Sequence, residues 1–316
     1  MTASVYRLRR ATGRRGVRLL ALAAVVGLSV VATATAANAV LPVPAPATLV
    51  STNPADHTPH ARNGEVRAFA EIGDLVYVGG TFTEVRAASA STWQAMPYLF
   101  AYHRDTGALA TAFHPVLDGA VNSLAVSPTG LLIVGGAFKN VDGVARRNLV
   151  ALDPVTGAMD PGWVGRSDGG VVRDMVVHGN WLYLAGAFNW INGTQHSGLA
   201  RLNASTGAID PNFQVDTGVG RHGTSSYAWT IDVTPDGRTL VVGGNFTQVN
   251  GVPRNQIALV DLTGTPTLLD WSTEKYAPPC VSSVFVHYVQ DVSFSADGSY
   301  FIVGSNGGSG WPAAYC

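Results

Sequence analysis

An all-β fold built from a tandem repeat is predicted by three observations. The string LLIVGGAFKNVDG (131–143) returns as LYLAGAFNWING (182–193) and LVVGGNFTQVNG (240–251), and LVYVGGTFTEVR (75–86) opens the same way. Aligned on the glycine before the phenylalanine, Gly80, Gly136, Gly186 and Gly244 lie 56, 50 and 58 residues apart. Glycine is abundant, at 36 residues, charged residues make up only 13%, and no apolar stripe at helical spacing runs through the chain.

Each period divides into short strands, read here from the second copy. VNSLAVS (121–127) alternates as a half-buried strand does, and LLIVGG (131–136) is continuously apolar, as a strand covered on both faces should be. NLVALD (148–153) follows, then a Pro-Val-Thr-Gly turn and a weaker last strand through Trp163. Repeats near 50 residues with four short strands are those of β-propeller blades. The expected fold is therefore a propeller of four-stranded antiparallel blades at about 65–118, 119–168, 169–221 and 222–279, with a partial fifth at 280–316 around YFIVGSN (300–306). The paired glycines are expected where neighbouring blades crowd the inner strand, and the phenylalanine between blades. TPHARNGEV (58–66) resembles FHPVLDGAV (113–121), so the Pro-rich segment 40–64 is expected to donate an outer strand that closes the ring on the final blade. On this reading the chain is a fragment of a longer propeller.

The first 39 residues pose a separate problem. Arg7, Arg9, Arg10, Arg14, Arg15 and Arg18 precede an apolar run from Leu19 to about Val31, and small residues end in Ala37-Asn38-Ala39. This is the pattern of a secretory signal peptide cleaved after Ala39, with a partial twin-arginine character. Retention of the segment would instead anchor the chain in a membrane. Cleavage removes six of 20 Lys+Arg and none of 21 Asp+Glu, leaving 14 against 21, a net charge of −7. Such a surface argues against nucleic acid or anionic membrane as partner. Export would permit a disulfide between Cys280 and Cys316, the two cysteines of the chain.

The pattern VGGxFxx[V/I][N/D]G, then N-[L/I]-A-x-L, then D-x-x-[F/W], resembles the delta-60 repeat β-propeller family, whose members are bacterial, often exported and largely without assigned biochemistry. It is carried by Val134–Gly143, Asn148–Leu152 and Asp160–Trp163, and recurs in Ala185–Gly193 and Val242–Gly251. The resemblance implies a fold and almost nothing about activity.

Strand parity places the loops entering each first strand and the loops joining second to third strands at one end of the sheets. That end is the expected ligand-binding face, with Trp93, Arg147, Trp190, His196 and Arg254 as contact residues. Asp118 and Asp168 are the weaker alternative, a catalytic pair for glycan hydrolysis. A quinoprotein-like dehydrogenase is disfavoured, because the aromatic falls six residues after the turn glycine (Gly157 to Trp163) where that family places it four after. His57-x-x-His60 has metal-like spacing without a third ligand, so neither metal nor cofactor is expected. The resulting expectation is an exported recognition or scaffold module for protein or carbohydrate at the cell surface, with a propeller enzyme as the alternative.

Overall fold

The structure, a computed structural model, describes residues 2–7, 56–277 and 289–306. Cys280, Cys316, the cleavage site expected after Ala39 and most of the expected signal segment lie outside the described residues.

Among the described residues, five larger antiparallel sheets follow one another along the chain, with smaller ribbons beside them. The first pairs Val66–Ile72, Leu75–Gly80 and Leu99–His103, and the second pairs Val121–Val126, Leu132–Gly136 and Leu149–Leu152. The third pairs Val172–His178, Trp181–Gly186 and Leu199–Asn203. The fourth joins Ala228–Val233, Thr239–Gly244, Ile257–Asp261 and Thr267–Leu268. In the fifth, Tyr300–Ser305 lies between Val289–Phe294 and Thr2–Arg7.

One expectation changes here. In the first three sheets the fourth strand shrinks to one bridge each, Tyr102 to Leu109, Leu152 to Met159 and Leu202 to Ile209. In the second and third, an Asx turn ends the pairing: Asp160 Oδ1 accepts from Gly162 N–H at 2.9 Å, and Asp210 Oδ1 from Asn212 N–H at 3.0 Å. His60–Arg62, at the end of the segment expected to close the ring, pairs with Glu84–Arg86 of its own repeat, and residues 40–55 of that segment lie outside the described residues. The third place in the last sheet belongs to Thr2–Arg7.

The sheets stack in series through their first strands, each packing against the first strand of the next. Alternation along the second strand supplies both interfaces. In the second sheet, Val134 points into a cluster with Tyr77 and Leu99 of the first, while Ile133 joins Val172, Met175 and Leu184 of the third. This explains why the strand is apolar at every position.

The two glycines of the repeat have different causes. A Cβ on Gly79, Gly135 or Gly243 would meet the first-strand valine of the next sheet, at 2.4 Å from Val121 Cγ1, 2.8 Å from Val172 Cγ1 and 2.3 Å from Val289 Cγ1. The third sheet has Ala185 at this position and, opposite it, Ala228 in place of valine, so volume is exchanged across the interface. The second glycine is constrained within its own sheet: a Cβ on Gly136 would lie 2.1 Å from the Ala120 carbonyl oxygen. The phenylalanines that follow, Phe82, Phe138, Phe188 and Phe246, are fully buried.

Among the described residues, the first and fifth sheets have a neighbouring sheet on one face only. Leu124, Met175, Ile231 and Val292 share a register position and are 8%, 5%, 3% and 4% exposed. Phe69, their counterpart in the first sheet, is 64% exposed.

Candidate functional site

The opening turns and the loops between second and third strands meet at one end, as strand parity requires. Asp118 Oδ1 accepts from Lys139 N–H at 2.7 Å and Asn140 N–H at 2.9 Å, and Asp168 Oδ2 accepts from Gly193 N–H at 2.7 Å. Burial raises the Asp118 pKa, but the amide hydrogen bonds from Asn140 and Lys139 outweigh it and hold the carboxyl below its usual range. Asp168 also accepts from Arg166 Nε at 2.7 Å. Each carboxylate ties together the loops of its own repeat.

The side chains expected at this face take several roles. Trp190 is exposed, and so is Arg147. Trp93 is half-buried, with the Arg62 guanidinium 4.2 Å and the Arg86 guanidinium 5.3 Å from its ring centre. His196 and Arg254 are buried, and they occupy the same place in successive repeats as Arg146. Arg146 donates from Nη2 to the Trp163 carbonyl at 2.6 Å and Arg254 from Nη2 to the Leu269 carbonyl at 2.7 Å, so these arginines peg the chain leaving each repeat. His196 fills the slot with both ring nitrogens lacking a hydrogen-bond partner, and burial lowers its pKa. His57 Nε2 lies 3.0 Å from the Arg104 carbonyl, and no metal-binding cluster occurs among the described residues.

A set of residues that the sequence reading missed forms the more concentrated site. Every first strand carries a β-bulge two residues into the sheet, where the register slips between Val66 and Ala68, Val121 and Ser123, Val172 and Asp174, Ala228 and Thr230, and Val289 and Asp291. The residues left between are Arg67, Asn122, Arg173, Trp229 and Gln290. A bulge re-aims a side chain, and five in register aim a row of them. Four of these meet in a cavity of about 310 Å³ lined by Glu65, Arg67, Asn122, Arg173 and Trp229.

Side-chain bonds knit this row. Arg67 Nη1 donates to Asn122 Oδ1 at 2.9 Å, and Asn122 Nδ2 donates to the Val172 carbonyl at 2.9 Å. Arg67 also pairs with Glu65 at 3.1 Å. The Arg173 guanidinium stands 4.0 Å from the centre of the Trp229 ring and 5.2 Å from that of Tyr227. No carboxylate pairs with Arg173 among the described residues, and its Nε is buried without a hydrogen-bond partner. Burial lowers its pKa, and the positive charge of Arg67 adds to that effect.

Beyond the bulges, carboxylates link one sheet to the next. Asp174, directly after Arg173, accepts from Met175 N–H at 2.8 Å and, across to the fourth sheet, from Ile231 N–H at 2.9 Å. Asp232, three residues after Trp229, makes a similar link to Phe294 N–H in the fifth sheet at 2.7 Å. Burial is the main reason that the Asp174 pKa rises to about 6; its amide bonds oppose the shift and Asp291 adds to it. Both Asp174 oxygens are engaged by main-chain amides, so its role is to bind one sheet to the next. The sequence signal for the bulge row was a large polar or aromatic residue directly after the first apolar residue of each first strand: V-R-A, V-N-S, V-R-D, A-W-T and V-Q-D.

The fourth sheet has a longer entrance. Thr217–Gly220 pairs with Phe246–Val249, and the chain then makes a tight turn at Arg221–Gly223 before Ala228. Buried Asn245 holds this insertion, donating to the Ser225 carbonyl at 2.8 Å and accepting from Tyr227 N–H at 2.8 Å. Other repeats have Thr81, Ala137 and Ala187 there. His222-Gly223 lies within this insertion.

A family model described as a β-propeller domain of unknown function (DUF5122) matches residues 180–213 and 234–266, so the repeat is similar to a propeller repeat. No curated protein matches the chain. Among solved structures, the chain is similar to the extracellular domain of a protein from B. thetaiotaomicron described as a hybrid two-component system, BT4673. The identity is 12% and the TM-score 0.43, over 76% of this chain and 26% of that one. It is also similar to the computationally designed Ika8 protein, at 14% identity and a TM-score of 0.39, over 75% of this chain and 70% of that one. The chain thus spans about a quarter of the length of the first of these.

Proposed function

We propose that this chain is an exported, non-catalytic recognition or scaffold module of the delta-60 repeat propeller kind, its sheets acting as blades about an axis, which binds protein or carbohydrate at the cell surface. Export rests on the basic, apolar and A-x-A pattern of residues 1–39. The observation that carries the recognition reading is the bulge cavity, lined by two arginines, an amide, an indole and one carboxylate that is paired with Arg67. Such a lining presents donors and a flat apolar face, the equipment of a binding pocket. Hydrolysis by Asp118 and Asp168 gains no support, since both carboxylates are bonded to main-chain amides of their own loops.

The test is a glycan and surface-protein binding screen of the chain from Val40 onward, with Trp229→Ala and Trp190→Ala variants run in parallel. Loss of a hit in Trp229→Ala but not Trp190→Ala would place binding in the cavity. The opposite result would return it to the outer loops, and glycan cleavage during the screen would replace the reading with the enzymatic one.

A further inference from the structure

The bulge cavity has a chemical preference that can be read from its unpaired cation. An Arg173 guanidinium beside Arg67, partly withdrawn from water and without a carboxylate partner among the described residues, is costly to maintain, and a half-buried cation of this kind is ordinarily compensated by an anion. The Trp229 ring lies against the guanidinium, and among the described residues no hydrogen bond engages the N–H donors of its fork. That fork matches the two oxygens of a carboxylate. Gln290, at the same register position in the fifth sheet, likewise has a buried nitrogen without a partner.

The geometry points to a carboxylated sugar, a uronic acid residue of a glycan, as the ligand of this cavity. This rests on the recognition reading above and narrows it. The carboxylate sits on the Arg173 fork with Arg67 beside it, Asn122 and Glu65 meet ring hydroxyls, and the indole of Trp229 borders the ring. A sugar fits better than an acidic peptide because the cavity, at about 310 Å³, lies at the small end of ligand pockets and its polar groups converge on one point. Peptide recognition instead uses an extended groove or a free strand edge.

The experiment is calorimetric titration of the full chain with methyl galacturonoside and methyl glucuronoside. The neutral methyl galactoside and glucoside and a short Asp/Glu-rich peptide serve as the other arms. A uronoside should bind at least about ten-fold tighter than its neutral counterpart, as expected for a charge-assisted bidentate contact. Arg173→Gln should remove most of that difference, Arg173→Lys should retain part of it, and Arg104→Gln, at an exposed site elsewhere, should leave it unchanged. Melting temperatures of all three variants separate lost binding from lost folding. Equal binding of acid and neutral sugars, binding of the peptide alone, or no binding in any arm would overturn the inference. If the wider screen then found a neutral glycan or a protein held by the same cavity, the recognition reading would stand without this refinement.

Discussion

Arg201 donates from Nε to Asp210 Oδ2 at 2.7 Å, a buried ion pair inside the third repeat, with the Trp181 ring 4.5 Å from the guanidinium carbon. The fourth repeat has Leu259 and Leu269 at the two equivalent positions, joined by the same main-chain bond. Asp210→Leu should therefore strand a buried cation and cost about 3–5 kcal/mol in denaturant unfolding. Arg201→Leu/Asp210→Leu should recover most of that loss, because it copies a solution the protein already uses. A double variant no more stable than the single would refute this.

Volume exchange at the sheet interfaces gives a second double-variant test. Gly135→Ala forces a methyl against Val172 and should cost about 1–3 kcal/mol. Val172→Ala in the same chain should restore stability, reproducing the Ala185 and Ala228 arrangement. Gly136→Ala has no such partner, since the obstacle is the Ala120 carbonyl. Thermal melts of the three variants decide the matter.

Phe69→Ala should change stability by less than about 1 kcal/mol in a chain whose first sheet is uncovered, whereas Ile231→Ala at the equivalent buried position should cost about 2–5 kcal/mol. Similar losses in chemical denaturation would show that something covers Phe69.

The raised pKa of Asp174 makes a signed prediction. Its folded value of about 6 lies above the ordinary 3.8, so the stability that it contributes is complete below about pH 4 and is lost as pH rises through about 6. Asp174→Asn does not titrate. Relative to that variant, the wild type should lose on the order of 2–3 kcal/mol between pH 4 and pH 7. Other carboxylates are common to both proteins and cancel in the difference.

The all-β repeat, the paired-glycine sites and the end at which the loops gather were legible because each rests on a local pattern recurring at fixed spacing. Arg254 and His196 show where reading stops: an arginine in a polar loop looks like a contact residue, and only the carbonyl of Leu269 explains why it turns inward. Arg173 was hidden for another reason. A one-residue bulge does not disturb alternation enough to be noticed, yet it decides which side chain faces the cavity. The shortened fourth strands were equally opaque, because the carboxylates of Asp160 and Asp210 end them through hydrogen bonds to the chain just beyond.

Thr2–Arg7 fills the place beside Tyr300–Ser305 that in the other sheets is taken by the chain's own next strand. If the expected cleavage after Ala39 takes place, that strand would leave with the N-terminal segment, and the edge of Tyr300–Ser305 that it covers would lose its partner. Maturation and exposure of a docking edge would then be one event, with the leader acting as a temporary guard against promiscuous strand addition.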